Sequence, residues 1–235
     1  MREDYCYYDR DCEFQIVEAV GLDDRFTGQF IGIFPKKVPP HYSHGINLRR
    51  FEAIIQAVFA AANSAEADGN IPAAHVRNLK VIACAIVHWK MASQGGRAAL
   101  KAKNVRDQWG DKTADSLIEA YREKQMERFE IGGVRIPTAT AFMRFLFPNE
   151  YGIMDSRVAK ITQERGITSL DIREEDRYIK DTRRNKQQYV QSYSPFLLRE
   201  AAELNDRGIL FQDVDEDGHL INSSFRPCDI EMALF

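Results

Sequence analysis

Apolar positions recur with the period of an α-helix over much of the chain. After Asn47, the residues Phe51, Ile54, Ile55, Val58, Phe59 and Ala62 fall on one stripe, which predicts an amphipathic helix capped by Asn47. The segment "AEADGN" ends it, and Pro72 suits the first turn of a second helix running to about Ser93. That second helix is apolar on most sides (Val76, Leu79, Ile82, Ala83, Ile86, Val87), the pattern of a central, buried element. "SQGG" breaks the chain, and shorter helices are expected at about 96–109 and 114–124, the latter packing Leu117, Ile118 and Tyr121. Further on, helices are predicted at about 156–165 and 170–180. A helical stretch in "RRNKQQYVQSYSPFLLREAAELN" is expected to break at Ser194-Pro195, where proline restarts a helix. "GILFQDVDEDGHLINSSF" reads as two strands around an Asp-Gly turn, a hairpin at about 208–225. Residues 1–46 are turn-rich ("PKKVPPHYSHG") and read as an irregular N-terminal extension before a helical domain over 47–235. The fold class is mainly α with a small C-terminal β-hairpin.

Composition narrows the function classes without choosing one. The longest apolar run, "VIACAIV" from Val81 to Val87, is far too short to span a bilayer, so no membrane partner is expected. The acidic, aromatic start "MREDYCYYDRDCEF" lacks the apolar core of a secretory signal. Cys6, Cys12, Cys84 and Cys228 form neither a disulfide framework nor a metal-binding pair, and reduced thiols in a cytoplasmic protein are the simplest reading. A net charge of −3 argues against a generic polyanion binder, yet the charge is unevenly spread. His75 to Arg106 carries seven basic residues and no acid, whereas the tail from Phe211 is acidic. One basic face would allow contact with a nucleic-acid backbone; solvated helix faces explain the same residues.

Two metal readings carry little weight. "DVDEDGHL" begins like a calcium loop, but position twelve is Ser224 rather than Glu and the hairpin turn explains it better. Cys84 and His88 lie one helical turn apart, but a thiol in so apolar a helix is usually structural. No metal is expected.

The most informative stretch is "IGGVRIPTATAFMRFLFPNEYGIMDSRVAK", residues 131–160. Gly132-Gly133 permits a tight turn, and Pro137 fits the first turn of a helix starting near Ile136. Such a turn offers backbone N–H groups at a helix N-terminus, an anion site by geometry and dipole, with Arg135 placed to reach the same anion. Upstream, "EKQMERFE" is expected to supply the first helix of a helix–turn–helix pair. Asp155 stands at the mouth of the following helix, where an aspartate is a favoured cap.

This arrangement resembles the helix-hairpin-helix of the DNA glycosylase superfamily. There an apolar residue precedes Pro-Gly-Val-Gly, two variable positions and Thr-Ala; here the run is Ile131-Gly132-Gly133-Val134-Arg135-Ile136-Pro137-Thr138-Ala139. "GIMDSRVAKI" is similar to the family segment bearing a catalytic aspartate. Asp155 also follows Pro137 by 155 − 137 = 18 residues, the family's interval between helix-site lysine and aspartate. The likeness covers about 35 residues, and "SFRPCDIEMALF" is similar to the ending of small bacterial members. It implies a helix-hairpin-helix DNA glycosylase-like helical bundle of two lobes, with the hairpin motif at about 123–147. Three departures qualify it. Arg135 replaces the second glycine of the turn. Pro137 stands where bifunctional members carry a Schiff-base lysine, so lyase chemistry by that route is not expected. The four-cysteine cluster signature is missing, and no cofactor is expected.

What the resemblance implies is a monofunctional DNA glycosylase-like hydrolase acting on a flipped, damaged or modified base in double-stranded DNA. Asp155 would stabilise the oxocarbenium-like charge on the sugar and orient water. The turn residues Gly132, Gly133, Val134 and Arg135, with Thr138, Arg157 and Lys160, would grip phosphates. Trp89, Trp109 and Tyr151 are possible pocket walls, and each serves equally well as core. The alternative is a non-catalytic helix-hairpin-helix protein that binds nucleic acid or a protein partner.

Overall fold

The computed structural model describes residues 48–67, 69–91, 96–110, 112–131, 135–173, 178–215 and 219–233. The N-terminal extension and the proposed cap Asn47 lie outside them. The described chain is mainly helical, with two small two-stranded sheets. It divides into two compact units, the first holding the described residues up to Glu123, the second most of the chain from Lys124 onward.

In the first unit, α1 (Leu48–Ala65) and α2 (Ala73–Met91) pack together, followed by α3 (Gly96–Asp107) and α4 (Thr113–Glu123). The predicted stripe of α1 is the buried one, with Phe51, Ile55, Phe59 and Ala62 inside. Between α1 and α2 the chain reverses through a bridge between Ala67 and Asn70, where Gly69 takes φ +75°, a value that favours glycine. Pro72 then accepts from the His75 and Val76 amides to start α2. Val81 to Val87 are all buried, as the all-round apolar pattern predicts. Burial pushes the Cys84 thiol up to about 12, far from the thiolate a metal or nucleophile needs.

The second unit opens with a departure from expectation. "EKQMERFE" is not an α-helix but a single 3₁₀ turn, Met126–Phe129. Lys124 sits at φ 52°, outside the helical region, and Gln125 is extended, so α4 cannot continue. Lys124 is held there by an ion pair with Glu150 and by its ammonium lying 5.2 Å over the Phe147 ring. The 3₁₀ turn still packs on the next helix, through Phe129 stacked 5.2 Å from Phe142.

That next helix, α5 (Ile136–Leu146), is followed by α6 (Ser156–Glu164). The helix expected near 170–180 is instead the strand pair β1 (Ile172–Arg173) and β2 (Tyr178–Ile179), antiparallel with Ile172 opposite Ile179. Tertiary contacts override helix propensity here. The buried Asn185 amide donates to the Asp171 and Lys180 carbonyls and accepts from the Asp171 N–H, closing the strand ends.

The stretch around Ser194-Pro195 is continuous rather than broken. α7 (Arg183–Gln188) passes through a π turn (Tyr189–Tyr193) into α8 (Ser194–Asp206). Proline lacks an N–H, and the wider turn absorbs the defect: the Ser194 N–H bonds the Tyr189 carbonyl, and the Ser194 hydroxyl donates to the same oxygen at 3.0 Å. The expected hairpin follows as β3 (Phe211–Val214) and β4 (Leu220–Ser223), closed by the Asp215 N–H donating to the His219 carbonyl. The last element is α9 (Pro227–Ala233), which packs on α8. Among the described residues no helix is long and apolar enough to cross a membrane.

Candidate active site

The site is built around the loop from Pro148 to Asp155. Asp155 is extended and half-buried, and its Oδ1 accepts the N–H groups of Arg157 and Val158 at 3.0 and 3.1 Å. It is therefore a true N-cap, and both cap bonds use the same oxygen.

The residues before Asp155 are fixed one after another. The Gly152 carbonyl accepts from the Tyr189 hydroxyl at 3.0 Å, and the Ile153 carbonyl from the Tyr193 hydroxyl at 2.9 Å. The Met154 N–H donates to the Thr140 hydroxyl at 3.1 Å. All three anchors are fully buried. Thr140 also donates to the Pro137 carbonyl at 3.2 Å, so one hydroxyl joins the first turn of α5 to the peptide before Asp155. This is a physical reason for the interval between Pro137 and Asp155 to be fixed. At Gly152 the backbone runs so close to its neighbours that an added Cβ would lie 2.6 Å from Leu197 Cδ1 and 2.8 Å from Glu231 Cβ. The Cys228 N–H donates to the Pro148 carbonyl at the other end of the loop.

Burial pushes the Tyr189 phenol well above its ordinary value, which keeps it a neutral donor to Gly152. Tyr151 stacks on Tyr189 with centroids 5.9 Å apart and meets Phe147 edge-on at 6.2 Å. Its phenol is also raised, chiefly by burial and then by Glu150. Tyr151 thus belongs to an aromatic cluster under the loop.

The predicted phosphate-gripping residues lie around the starts of α5 and α6. Gly132, Gly133 and Val134 lie outside the described residues. Arg135 is exposed and stands at the N-cap of α5, without a side-chain cap bond. The expectation of several open amides at that helix start needs correction. Pro137 has no donor, and the Thr138 and Ala139 N–H groups both turn back to the Arg135 carbonyl at 2.9 Å. Thr138 itself is buried, 7% exposed. Arg157 and Lys160 are exposed on α6, with Lys160 3.8 Å from Glu164. Trp89, on α2, and Trp109 are partly exposed residues of the first unit, whereas Tyr151 and Asp155 belong to the second.

The chain matches no protein-family model, no curated protein and no solved structure. What the site can do therefore rests on its own geometry: a half-buried carboxylate at the end of a hydrogen-bonded loop, followed by the exposed cations Arg157 and Lys160 of α6.

Sequence reasoning missed Thr140, Tyr189 and Tyr193. Two tyrosines four residues apart just before a Ser-Pro step are a readable signal for a shared helix face, but what that face holds is set by a loop 37 residues earlier.

Proposed function

We propose that this chain is a monofunctional DNA glycosylase-like hydrolase that binds double-stranded DNA and cleaves the N-glycosidic bond of a damaged or modified base, with Asp155 as the essential carboxylate. The observation that carries the reading is the loop that ends on Asp155: its successive carbonyls and amide are fixed by buried hydroxyls, and the Asp155 Oδ1 takes both cap bonds. A cap needs one oxygen and tolerates a loosely held loop. Electrostatic stabilisation of a developing cation needs a charge held in place before the reaction.

In this reading the base leaves the stack and the departing base draws electrons from C1′. The Asp155 carboxylate faces the resulting positive charge and orients the water that completes hydrolysis. Arg135, Arg157 and Lys160 hold the backbone beside the flipped nucleotide. With Pro137 in place of an amine, no Schiff base forms and the strand stays uncut.

Asp155→Asn tests this directly. Asn caps about as well as Asp, so the melting temperature should stay within about 1 °C. Single-turnover excision from duplexes carrying uracil, hypoxanthine, 8-oxoguanine or an alkylated purine should fall by on the order of 1000-fold, as for loss of a main electrostatic stabiliser. Wild-type protein that excises nothing from that panel, or an Asn variant as fast as wild type, defeats the hydrolase reading. Duplex binding that survives such a result, weakening steeply with salt, would favour the non-catalytic alternative.

A further inference from the structure

We propose that Tyr189 and Tyr193 are positioning residues for Asp155, acting through the Gly152 and Ile153 carbonyls. This inference rests on the hydrolase reading for its catalytic meaning and on geometry for its mechanical one.

Both rings lie on one turn, and both hydroxyls donate to consecutive carbonyls of the same loop, at 3.0 and 2.9 Å. Two donors from one turn thus hold two successive peptide groups, Gly152–Ile153 and Ile153–Met154, each by its carbonyl. Asp155 follows two residues after Ile153, and Thr140 holds the one amide between. The two cap bonds then restrict the side-chain rotation of the carboxylate itself.

The turn that carries the tyrosines is itself unusual. It is π-helical, a form that is rare and concentrates at functional sites. Pro195 explains why regular winding is interrupted, but not why two fully buried phenols face backbone carbonyls. Phenylalanine at both positions would fill the core without a hydroxyl to satisfy. Gly152 adds to the case, because its lack of a Cβ lets the loop approach Leu197 and Glu231 closely enough for the phenols to reach.

Tyr189→Phe and Tyr193→Phe, made separately and together, keep the rings and delete the donors. In each single variant, single-turnover excision should fall about tenfold, and in the double variant about a hundredfold, the scale of a misplaced catalytic group. Affinity for the same duplex with a 2′-fluoro sugar, which blocks cleavage, should stay within twofold of wild type. A loss confined to packing would weaken both together. A second readout does not depend on activity. Relaxation dispersion at the amides of Gly152 to Val158 should be quiet in wild type and show millisecond exchange in the variants. Unchanged excision with quiet amides overturns the proposal. Wild type that excises nothing removes the hydrolase reading alone; exchange confined to Gly152–Val158 in the variants would then uphold the anchoring, and quiet amides would sink it too. Each single variant tests the idea independently should the other fail to fold.

Discussion

Two helix entrances lie within one stretch of sequence, and they are held by opposite means. The entrance of α5 has Arg135 at its N-cap with no side-chain cap bond, and the entrance of α6 has Asp155 with two. Behind the first, every residue from Ile136 to Leu146 except Pro137 is buried. Behind the second, only Val158, Ala159 and Thr162 are. A helix wrapped in core needs little help at its end, because packing supplies most of its stability. A short helix with one narrow buried stripe depends on its cap and on the chain leading to it. The comparison teaches that capping residues carry energy where burial is thin, and that Asp155 is such a case.

The largest effect should come from pushing on the loop ahead of α6. In Gly152→Ala the new Cβ meets Leu197 and Glu231 at distances real Cβ atoms do not adopt, and one contact is with a Cβ that cannot swing away. Overpacking of this kind should cost about 3 kcal/mol. The melting temperature should drop by on the order of 8 °C. A drop under about 2 °C would mean the loop yields easily, and the contrast between the entrances would be lost.

The α5 entrance has its own fastening, one that is ionic. Glu130, two residues before Gly132 in sequence, pairs with Lys186 of α7 at 2.8 Å, and Lys186 also reaches Asp181 at 3.0 Å. Burial works to lower Lys186, but the bonds and charges of Glu130 and Asp181 outweigh it and hold the ammonium above its ordinary value. Lys186→Met should cost about 2 kcal/mol, less than breaking a fully buried pair because both side chains keep 16% exposure. The sign with pH follows. A lysine raised on folding contributes stability that is complete below about pH 10.4 and is lost as pH climbs through the raised value. Urea midpoints from pH 9 to 11.5 should fall in wild type and fall less in the variant; parallel curves would remove Lys186 as the cause.

How far these features were legible in the sequence follows from how local their causes are. α1 and α2 could be read because their stripes answer to one core, and α6 because its cap lies beside it. The Lys124 reversal was not legible: a left-handed lysine is stabilised by Glu150 and Phe147, more than twenty residues away. The strands at Ile172 and Ile179 depend on Asn185 for their ends, and the same residues read alone favour a helix. At the site, Asp155 and its distance from Pro137 were visible. The hydroxyls of Thr140, Tyr189 and Tyr193 were not, because a hydroxyl's partner is chosen by tertiary structure and leaves no periodic trace.

Removing the cap itself should have a smaller effect than crowding the loop. Asp155→Ala should destabilise by about 1 kcal/mol, while Asp155→Asn should be neutral, which separates the cap from the charge. Urea unfolding of the pair measures it. Equal losses in both variants would show that the carboxylate charge, rather than the cap bonds to Arg157 and Val158, holds α6.

A small change in stability is also expected at Arg135. An exposed N-cap residue that makes no side-chain cap bond, before a helix buried along nearly all its length, should be replaceable by alanine within about 0.5 kcal/mol. On the proposed duplex-binding function, loss of this exposed charge should weaken duplex binding evenly across sequences. The slope of log affinity against log salt should shrink by about one. A stability loss above about 1 kcal/mol would make Arg135 a structural cap after all, and the two entrances would then be held alike. Near-neutral stability with an unchanged salt slope would keep the contrast and remove Arg135 from the nucleic-acid contact. Arg157 and Lys160 of α6 would then be left to supply the charge beside Asp155.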